Sequence, residues 1–302
     1  MSEHSASVSV VMPLLEQRRL VGRAVGSVLG QTFRDFELIV VDDGSSDGGA
    51  EAVEAIGDAR VRCIRRPHRG PGAARNRGLE AAAGEWVAFL DADDEWAPAF
   101  LESTLAAAQA APGTVAVYTG VVARGREASG CGLASGPVPD YFAARMRYGV
   151  AATCSSVLVR RVALLAAGGF AESVRYAEDV DTWFRLSCEG PMSFVAAPLA
   201  RIETAAPGRL TSVVTARERA AGLGKMLDTY ERYRRAGRIG TERLAFARRF
   251  MQHQRGRMAV YLAAAGERRD AWRTLLAGVP LGAHTWREYL LCVRNSMRRA
   301  VP

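Results

Sequence analysis

Glu37-Leu38-Ile39-Val40-Val41-Asp42-Asp43-Gly44-Ser45 is the stretch on which the reading of the chain turns. Four consecutive apolar residues follow Glu37, and three of them are β-branched. The run does not alternate polar with apolar, as a strand with one wet face would; it fits a parallel strand covered on both faces. It stops in Asp-Asp-Gly-Ser, a cluster of turn and helix N-cap formers. A buried strand that ends in a polar turn and leads into a helix is half of a β–α–β unit.

The same pattern repeats on either side. Val8-Ser-Val-Val-Met12 reads as a strand, and residues 18–31 as a helix with Val21, Val25, Val28 and Leu29 on one face. A helix after Ser45 runs to about Ile56, and residues 61–64 form a third strand. Gly70-Pro-Gly72 opens an Ala-rich helix over 73–83, and Trp86-Val-Ala-Phe-Leu90 is a fourth strand, ending in Asp91-Ala92-Asp93-Asp94-Glu95. Pro98 starts the next helix. The order βαβαβαβ predicts an α/β fold, Rossmann-like, with a mostly parallel, doubly wound sheet flanked by helices. Ligands bind such sheets beyond the carboxyl ends of the strands, where both acidic clusters fall. In the middle, residues 115–119, 155–160 and 193–197 read as strands, 179–188 as a helix, and the Gly/Ser/Pro-rich stretch 125–139 as a mobile loop. From Thr215 the pattern is helical, with breaks near 237–240, 266 and 278–282. The expected domains are 1–214, with halves at about 6–112 and 113–214, and an all-helical C-terminal extension over 215–302.

Composition narrows the function classes. The 302 residues leave room for one large domain with an appendage, or two domains. Hydrophobic residues at 49% and charged residues at 24% exclude a disordered or collagen-like chain. No apolar run reaches the roughly 18–20 residues of a membrane span. The start, Met1-Ser-Glu-His-Ser-Ala-Ser, lacks a basic region followed by an apolar one, so no signal peptide is expected. Five cysteines, odd in number, widely spaced and without a Cys-x-x-Cys, argue against disulfides or zinc and for a cytoplasmic protein. The charge is uneven. From Thr215 onward 19 basic residues face 7 acidic ones, whereas the preceding part carries a net charge of −4. Lys225 is the one lysine. This richness in Arg and Ala reads as the composition of a GC-rich bacterial genome.

The two acidic strand ends carry the chemistry. Asp91 and Asp93, two apart just past a buried strand, can face the same way and offer a hard divalent cation the oxygen ligands it prefers. Mg²⁺ or Mn²⁺ so held can neutralise a departing diphosphate. On these residues alone, Asp91 and Asp94 also read as caps of the next helix, and Asp42-Asp43-Gly-Ser as an ordinary turn. Glu178-Asp179 follows an apolar-aromatic stretch and opens a helix. A carboxylate there can be shielded from water and made basic enough for general-base work, although helix N-caps are also where structural aspartates gather. Asp181 competes for the same role. Gly70-Pro-Gly72 lacks the third glycine of a dinucleotide loop and does not follow the first strand. His4, His68, His253 and His284 form no site in sequence and read as surface or loop residues.

Together, Val11-Met-Pro13, Gln31-Thr-Phe33, Val41-Asp-Asp43-Gly-Ser45, Gly70 with Ala74-Arg75-Asn76 and Gly78, and Phe89-Leu-Asp91-Ala-Asp93-Asp94 resemble, in order and spacing, the family 2 glycosyltransferases with a GT-A fold. Gly168-Gly-Phe170 and Glu178-Asp179-Val-Asp-Thr-Trp183 look like that family's acceptor-side elements, so the resemblance covers about residues 6–214. It implies an inverting enzyme that moves a sugar from a nucleotide-diphosphate donor, UDP-linked by expectation, to an acceptor hydroxyl with the help of Mn²⁺ or Mg²⁺. Pro13, Leu14, Leu15 and Glu16 would line the base and ribose. Asp43 would hydrogen-bond the base, and Arg75 would lie near the nucleotide. Asp91 and Ala92 would contact the donor, with Asp91 reaching the metal through water, and Asp93 would ligate it. Asp179 would be the general base, with Glu178 and Trp183 on the acceptor side. The acceptor itself, whether lipid-linked glycan, polysaccharide, small metabolite or peptide, is not implied.

The sequence departs from the family in two places. The usual Pro-x-Tyr-Asn of the first loop is Pro13-Leu14-Leu15-Glu16, which replaces the aromatic that stacks on the base. Glu203 falls near where many members carry a metal-reaching histidine. A nucleotidyltransferase of related fold would need a Gly-rich phosphate loop with a basic residue after the first strand, which Met12-Pro-Leu-Leu-Glu16 does not supply. A non-catalytic nucleotide-sugar-binding protein would suit the altered loop but not the intact Asp43, Asp93 and Asp179. The basic tail, with Arg232, Arg234, Arg235, Arg248 and Arg249, reads as a contact for anionic lipid at the inner face of the membrane or as a solvated helix face. No nucleic-acid recognition motif accompanies it. Residues 256–280 look like half of a tetratricopeptide-type hairpin, suited to docking on the catalytic domain, acceptor binding or a homodimer.

Overall fold

The computed structural model of the protein describes residues 6–123, 126–127, 132–149, 151–204 and 213–277. Packing divides the chain into two units, one formed by residues 1–172 and 182–208, the other by 173–181 and 209–302.

The first unit opens as the sequence predicts, with β1 (Val8–Leu14), α1 (Arg18–Leu29), β2 (Phe36–Asp42), α2 (Gly49–Glu54), β3 (Val61–Arg65), α3 (Pro71–Ala81) and β4 (Trp86–Phe89). These strands lie in the order β3-β2-β1-β4 and are all parallel, with Val8 opposite both Phe36 and Trp86. Then come β5 (Glu95–Trp96), α4 (Phe100–Ala110), β6 (Ala116–Ala123), β7 (Arg126–Glu127), β8 (Gly136–Val138), α5 (Tyr141–Tyr148), a 3-10 turn at Cys154–Ser156, β9 (Val157–Arg160), α6 (Arg161–Ala166), α7 (Glu178–Glu189), whose residues up to Asp181 are counted with the other unit, and β10 (Met192–Ile202). They extend the sheet to β3-β2-β1-β4-β9-β6-β10-β5, with β7 on β6 and β8 on β10. In this half β9 runs antiparallel to both β4 and β6, while β10 is parallel to β6.

The two-residue period of a strand sorts the core. Val8, Val10, Met12 and Leu14 of β1, with Leu38 and Val40 of β2, meet the apolar stripe Val21, Ala24, Val25 and Val28 of α1. Val11 points to the other face, against α3, and the approach is so close that a Cβ on Gly78 would stand 2.2 Å from Val11 Cγ1. Gln31 is fully buried where α1 ends. Its amide donates to the carbonyls of Ser27 (3.0 Å) and Ala97 (2.9 Å) and accepts from Leu101 N (3.0 Å), fastening α1 to the start of α4.

The second unit holds α8 (Ala216–Arg235), α9 (Thr241–Ala264) and α10 (Arg268–Ala277). Thr215 and Glu218 cap α8 reciprocally. α8 and α9 each end at a glycine of positive φ, Gly237 (66°) and Gly266 (83°), with the paired hydrogen bonds Gly237 N to Arg234 O and Arg238 N to Tyr233 O, and Gly266 N to Ala263 O and Glu267 N to Leu262 O. This is the αL helix stop for which glycine alone carries no steric cost. Ala220, Ala259, Leu262 and Ala271 form its small core.

Several expectations are corrected. β5, α5 and α6 were not anticipated, because two to eight residues are too few to show a period. α5 starts at Asp140, whose carboxylate accepts from Phe142 N (2.8 Å) and Ala143 N (3.0 Å). The stretch expected to be one mobile loop, 125–139, holds β7 and β8; Gly125 and residues 128–131, with Cys131, lie outside the described residues. Residues 173–181, read from sequence as part of the first domain, pack with the helical unit. His4, His284, Cys292, the break at 278–282 and the end of the tetratricopeptide-like stretch also lie outside the described residues. Among the described residues no helix is long and apolar enough to cross a membrane.

Candidate active site

Three carboxylates converge just beyond the carboxyl end of β4. Oxygens of Asp91, Asp93 and Asp94 lie within 4.8 Å of one another. At an effective dielectric of about 20, like charges at that distance repel by about 3 kcal/mol per pair. The fold accepts this repulsion by fixing the members. Arg75, buried on α3, donates from Nη2 to Asp91 Oδ1 (2.7 Å), and its guanidinium carbon sits 5.5 Å from the centre of the Phe170 ring. Asp94 is buried; it accepts from Ser155 Oγ (2.5 Å) and from the backbone N–H of Glu203 (2.8 Å). Burial, then the charges of Asp91 and Asp93, push the Asp94 carboxyl up to about 8. An all-oxygen cluster of three aspartates fits Mg²⁺ or Mn²⁺, and Asp94 belongs to it, although the sequence reading did not count it among the ligands. Glu203 reaches the cluster through its backbone; its carboxylate faces Arg23 (3.6 Å).

The ends of β1 and β2 lie beside it in the sheet. Asp43, also buried, accepts from the backbone N–H groups of Arg69 (3.1 Å) and Gly70 (2.7 Å), and its oxygens lie 3.3 Å from Arg66 Nε and 2.8 Å from His68 Nδ1. One carboxylate thus gathers the whole 66–70 loop. Gly44, at φ 90°, lets that loop close, since a Cβ there would stand 3.0 Å from His68 N. Glu16 adopts φ 51°, a region that asparagine enters more readily than glutamate. It is held there by its carboxylate, which accepts from Ser46 N (2.7 Å) and Oγ (3.0 Å), and by its own N–H, which donates to Ser45 Oγ. Two expected donor residues have buried side chains. Leu14 packs its side chain under α1 and offers only its carbonyl, which accepts from Asp43 N (2.8 Å); Ala92 is likewise buried in that core. Pro13 and Leu15 are partly exposed.

Glu178, Asp179 and Asp181 lie in the first turn of α7. Asp179 is half-buried and accepts at Oδ1 from Val180 N (2.7 Å), whereas Glu178 and Asp181 are buried. Ala177, just before them, has φ 60°, a strained conformation for any residue with a Cβ. Trp183, expected on the acceptor side, is fully buried and meets Phe170 edge-on at 5.7 Å.

Residues 9–156 match the family described as Glycosyl transferase family 2. The chain carries a family 2 glycosyltransferase domain. The matched stretch contains Asp43, Arg75 and the three-aspartate cluster and ends before α7. A relative named UDP-Glc:alpha-D-GlcNAc-diphosphoundecaprenol beta-1,3-glucosyltransferase WfgD, from Escherichia coli, is 38% identical over 90 residues, which cover 30% of this chain and 36% of that protein. The chain matches only 13 to 40% of the length of the curated relatives it resembles. The glycosyltransferase fold recurs in the crystal structure of S. aureus TarS 1-349 in complex with UDP-GlcNAc, at a TM-score of 0.67 and 17% identity over 89% of this chain and 90% of that one. It recurs too in the mannosyltransferase PcManGT from Pyrobaculum calidifontis in complex with GDP-Man and Mn²⁺, at 0.56 and 20% over 99% and 89%. At these identities the likeness is one of fold.

Proposed function

We propose that the protein is an inverting glycosyltransferase that moves a sugar from a nucleotide-diphosphate donor, UDP-linked, to an acceptor hydroxyl. The observation that carries this reading is the convergence of Asp91, Asp93 and Asp94 beside the buried Arg75, beyond the carboxyl ends of the strands, where doubly wound folds bind nucleotides. The names of the WfgD relative and of the TarS complex support UDP as the nucleotide. Asp93 and Asp91, the latter directly or through water, with Asp94 behind them, would hold Mn²⁺ or Mg²⁺, which when bound supplies positive charge against a leaving diphosphate. Arg75 orients Asp91. Asp43 and residues 13–16 receive the base and ribose. The four donors already around the Asp43 carboxylate mean that a base N–H displaces its weakest contact, the 3.3 Å one to Arg66. Asp179 accepts the proton of the acceptor hydroxyl as that oxygen attacks the anomeric carbon and the nucleoside diphosphate leaves from the opposite face, so the configuration inverts.

The test is product detection with a panel of sugar nucleotides. Turnover is expected with a UDP-sugar, loss in excess EDTA and return with Mn²⁺. Asp93→Asn, which keeps the shape and removes a charge, should fold normally and lose turnover by about 10²-fold or more. Full activity in EDTA would end the metal reading. We also propose that the basic helices touch anionic membrane. Binding to anionic vesicles should then weaken sharply with salt, and equal binding to neutral vesicles would refute this.

A further inference from the structure

The turn that carries Asp179 is built by the C-terminal helices. Residues 173–181 pack with α8 and α9, and the contacts centre on one side chain, Tyr176. Its hydroxyl accepts from Arg257 Nη2 (2.5 Å) and lies 3.4 Å from the Tyr261 hydroxyl. Its ring meets Tyr261 edge-on at 6.0 Å, with the Arg219 guanidinium carbon 5.3 Å from the ring centre. Its carbonyl lies against α8 so closely that a Cβ on Gly222 would stand 1.9 Å from it. Arg175 adds an ion pair to Glu218 (3.3 Å), the same glutamate that caps α8. Hydrogen bond, cation–π contact, ring packing and backbone seating from α8 and α9 therefore hold one residue.

The next residue, Ala177, is the strained one, at φ 60°. Left-handed backbone is unfavourable for an L-residue and persists only where the surroundings over-determine it. Its carbonyl accepts from Asp181 N (3.0 Å) and so closes the first turn of α7 over Asp179. With Tyr176 gripped and Ala177 forced, the backbone that leads into Asp179 is held.

We propose that the helical unit is a clamp that positions the general base, with Tyr176 and Arg257 as positioning residues acting through Asp179. The inference rests on the reading of Asp179 as base. It gives the basic extension a task in catalysis that neither its charge nor its repeat-like pattern indicates. Misplacing a reacting group by about 1 Å can cost 10²-fold in rate.

The experiment uses the full chain carrying Arg257→Met, Arg257→Lys or Tyr176→Phe, each alone and combined with Asp179→Asn. Arg257→Met and Tyr176→Phe are expected to lower kcat about 10- to 100-fold, with affinity for UDP plus Mn²⁺, measured by calorimetry, unchanged. Arg257→Lys should recover part of the loss. In the Asp179→Asn background the same changes should cost nothing further. Hydrogen exchange at the amides of 178–181 should quicken in Arg257→Met. Wild-type kcat in Arg257→Met, an equal loss in both backgrounds, or unchanged exchange would overturn the clamp. Quickened exchange in Arg257→Met together with normal turnover in Asp179→Asn would instead remove the base assignment, and with it the catalytic task, while leaving the hold on the turn.

Discussion

Gly78→Ala sets two well-measured effects against each other. Gly78 lies within α3, where replacing glycine by alanine favours the helix by about 0.8–1 kcal/mol. Against this stands Val11 on β1. The new Cβ would lie 2.2 Å from its Cγ1, 3.0 Å from its Cγ2 and 3.1 Å from its Cβ, all inside van der Waals contact. Val11 is fully buried and cannot swing away, so α3 must lift from the sheet. Overpacking of this kind costs about 1–3 kcal/mol, and three short contacts on a β-branched side chain put it toward the upper end. The net expectation is a loss of about 1–2 kcal/mol, or roughly 2–8 °C in Tm for a unit of this size. The lifted helix also carries Arg75 away from Asp91, so Mn²⁺-dependent turnover should fall further than stability explains. Val11→Ala alone should destabilise, and adding it to Gly78→Ala should recover part of the loss, because the two methyl groups removed make room for the one introduced. Differential scanning fluorimetry of the four proteins measures the cycle. A higher Tm for Gly78→Ala, or a double variant no better than the sum of the singles, would refute the close approach of α3 to β1.

Gln31→Leu leaves the N–H of Leu101 and the carbonyl of Ala97 buried without the amide that serves them, and should cost about 2–4 kcal/mol in a urea melt; a loss under 0.5 kcal/mol would mean that α1 and α4 are joined by other contacts. Asp43→Asn cannot keep all four donors around one amide oxygen, so it should lower Tm and also weaken UDP binding about 10-fold by calorimetry, and weaker binding at an unchanged Tm would show that Asp43 acts on the base without shaping the loop. The Cys63 thiol is pushed up to about 11, first by burial and then by the charges of Glu54 and Asp42. A raised pKa starves the thiolate, so at pH 8 mass-mapped iodoacetamide labelling of Cys63 should run about 100-fold slower than that of an unperturbed thiol, quicken as pH climbs toward 11, and equalise in denaturant.

The parts of the molecule legible in the sequence are those whose causes are local. β1, β2 and β4 announce themselves because strands buried on both faces are written mostly in apolar residues, and α1 because its stripe repeats every turn. Asp91 and Asp93 are legible because a strand end needs no distant partner to present them. Asp94 is not: its place is set by Ser155 and Glu203, 61 and 109 positions away. Leu14 and Trp183 were expected at the ligand from the family resemblance; what buries their side chains is α1 in one case and Phe170 in the other. Residues 173–181 join the helical unit through Tyr176 and Tyr261, 85 positions apart, and no local signal marks such a pairing.

The sheet ends in β3 on one side and β5 on the other. An outer strand is a template on which a second molecule can polymerise, and long apolar edges do so readily. β5 has only two residues to offer. β3 has five, and two of them are arginines already engaged, Arg62 with Glu37 (3.1 Å) and Arg65 with Glu51 (2.7 Å) and Glu54 (2.8 Å). A strand arriving there would have to strip water from these charges. The margins at β3 and β5 are thus each guarded against the addition of another strand.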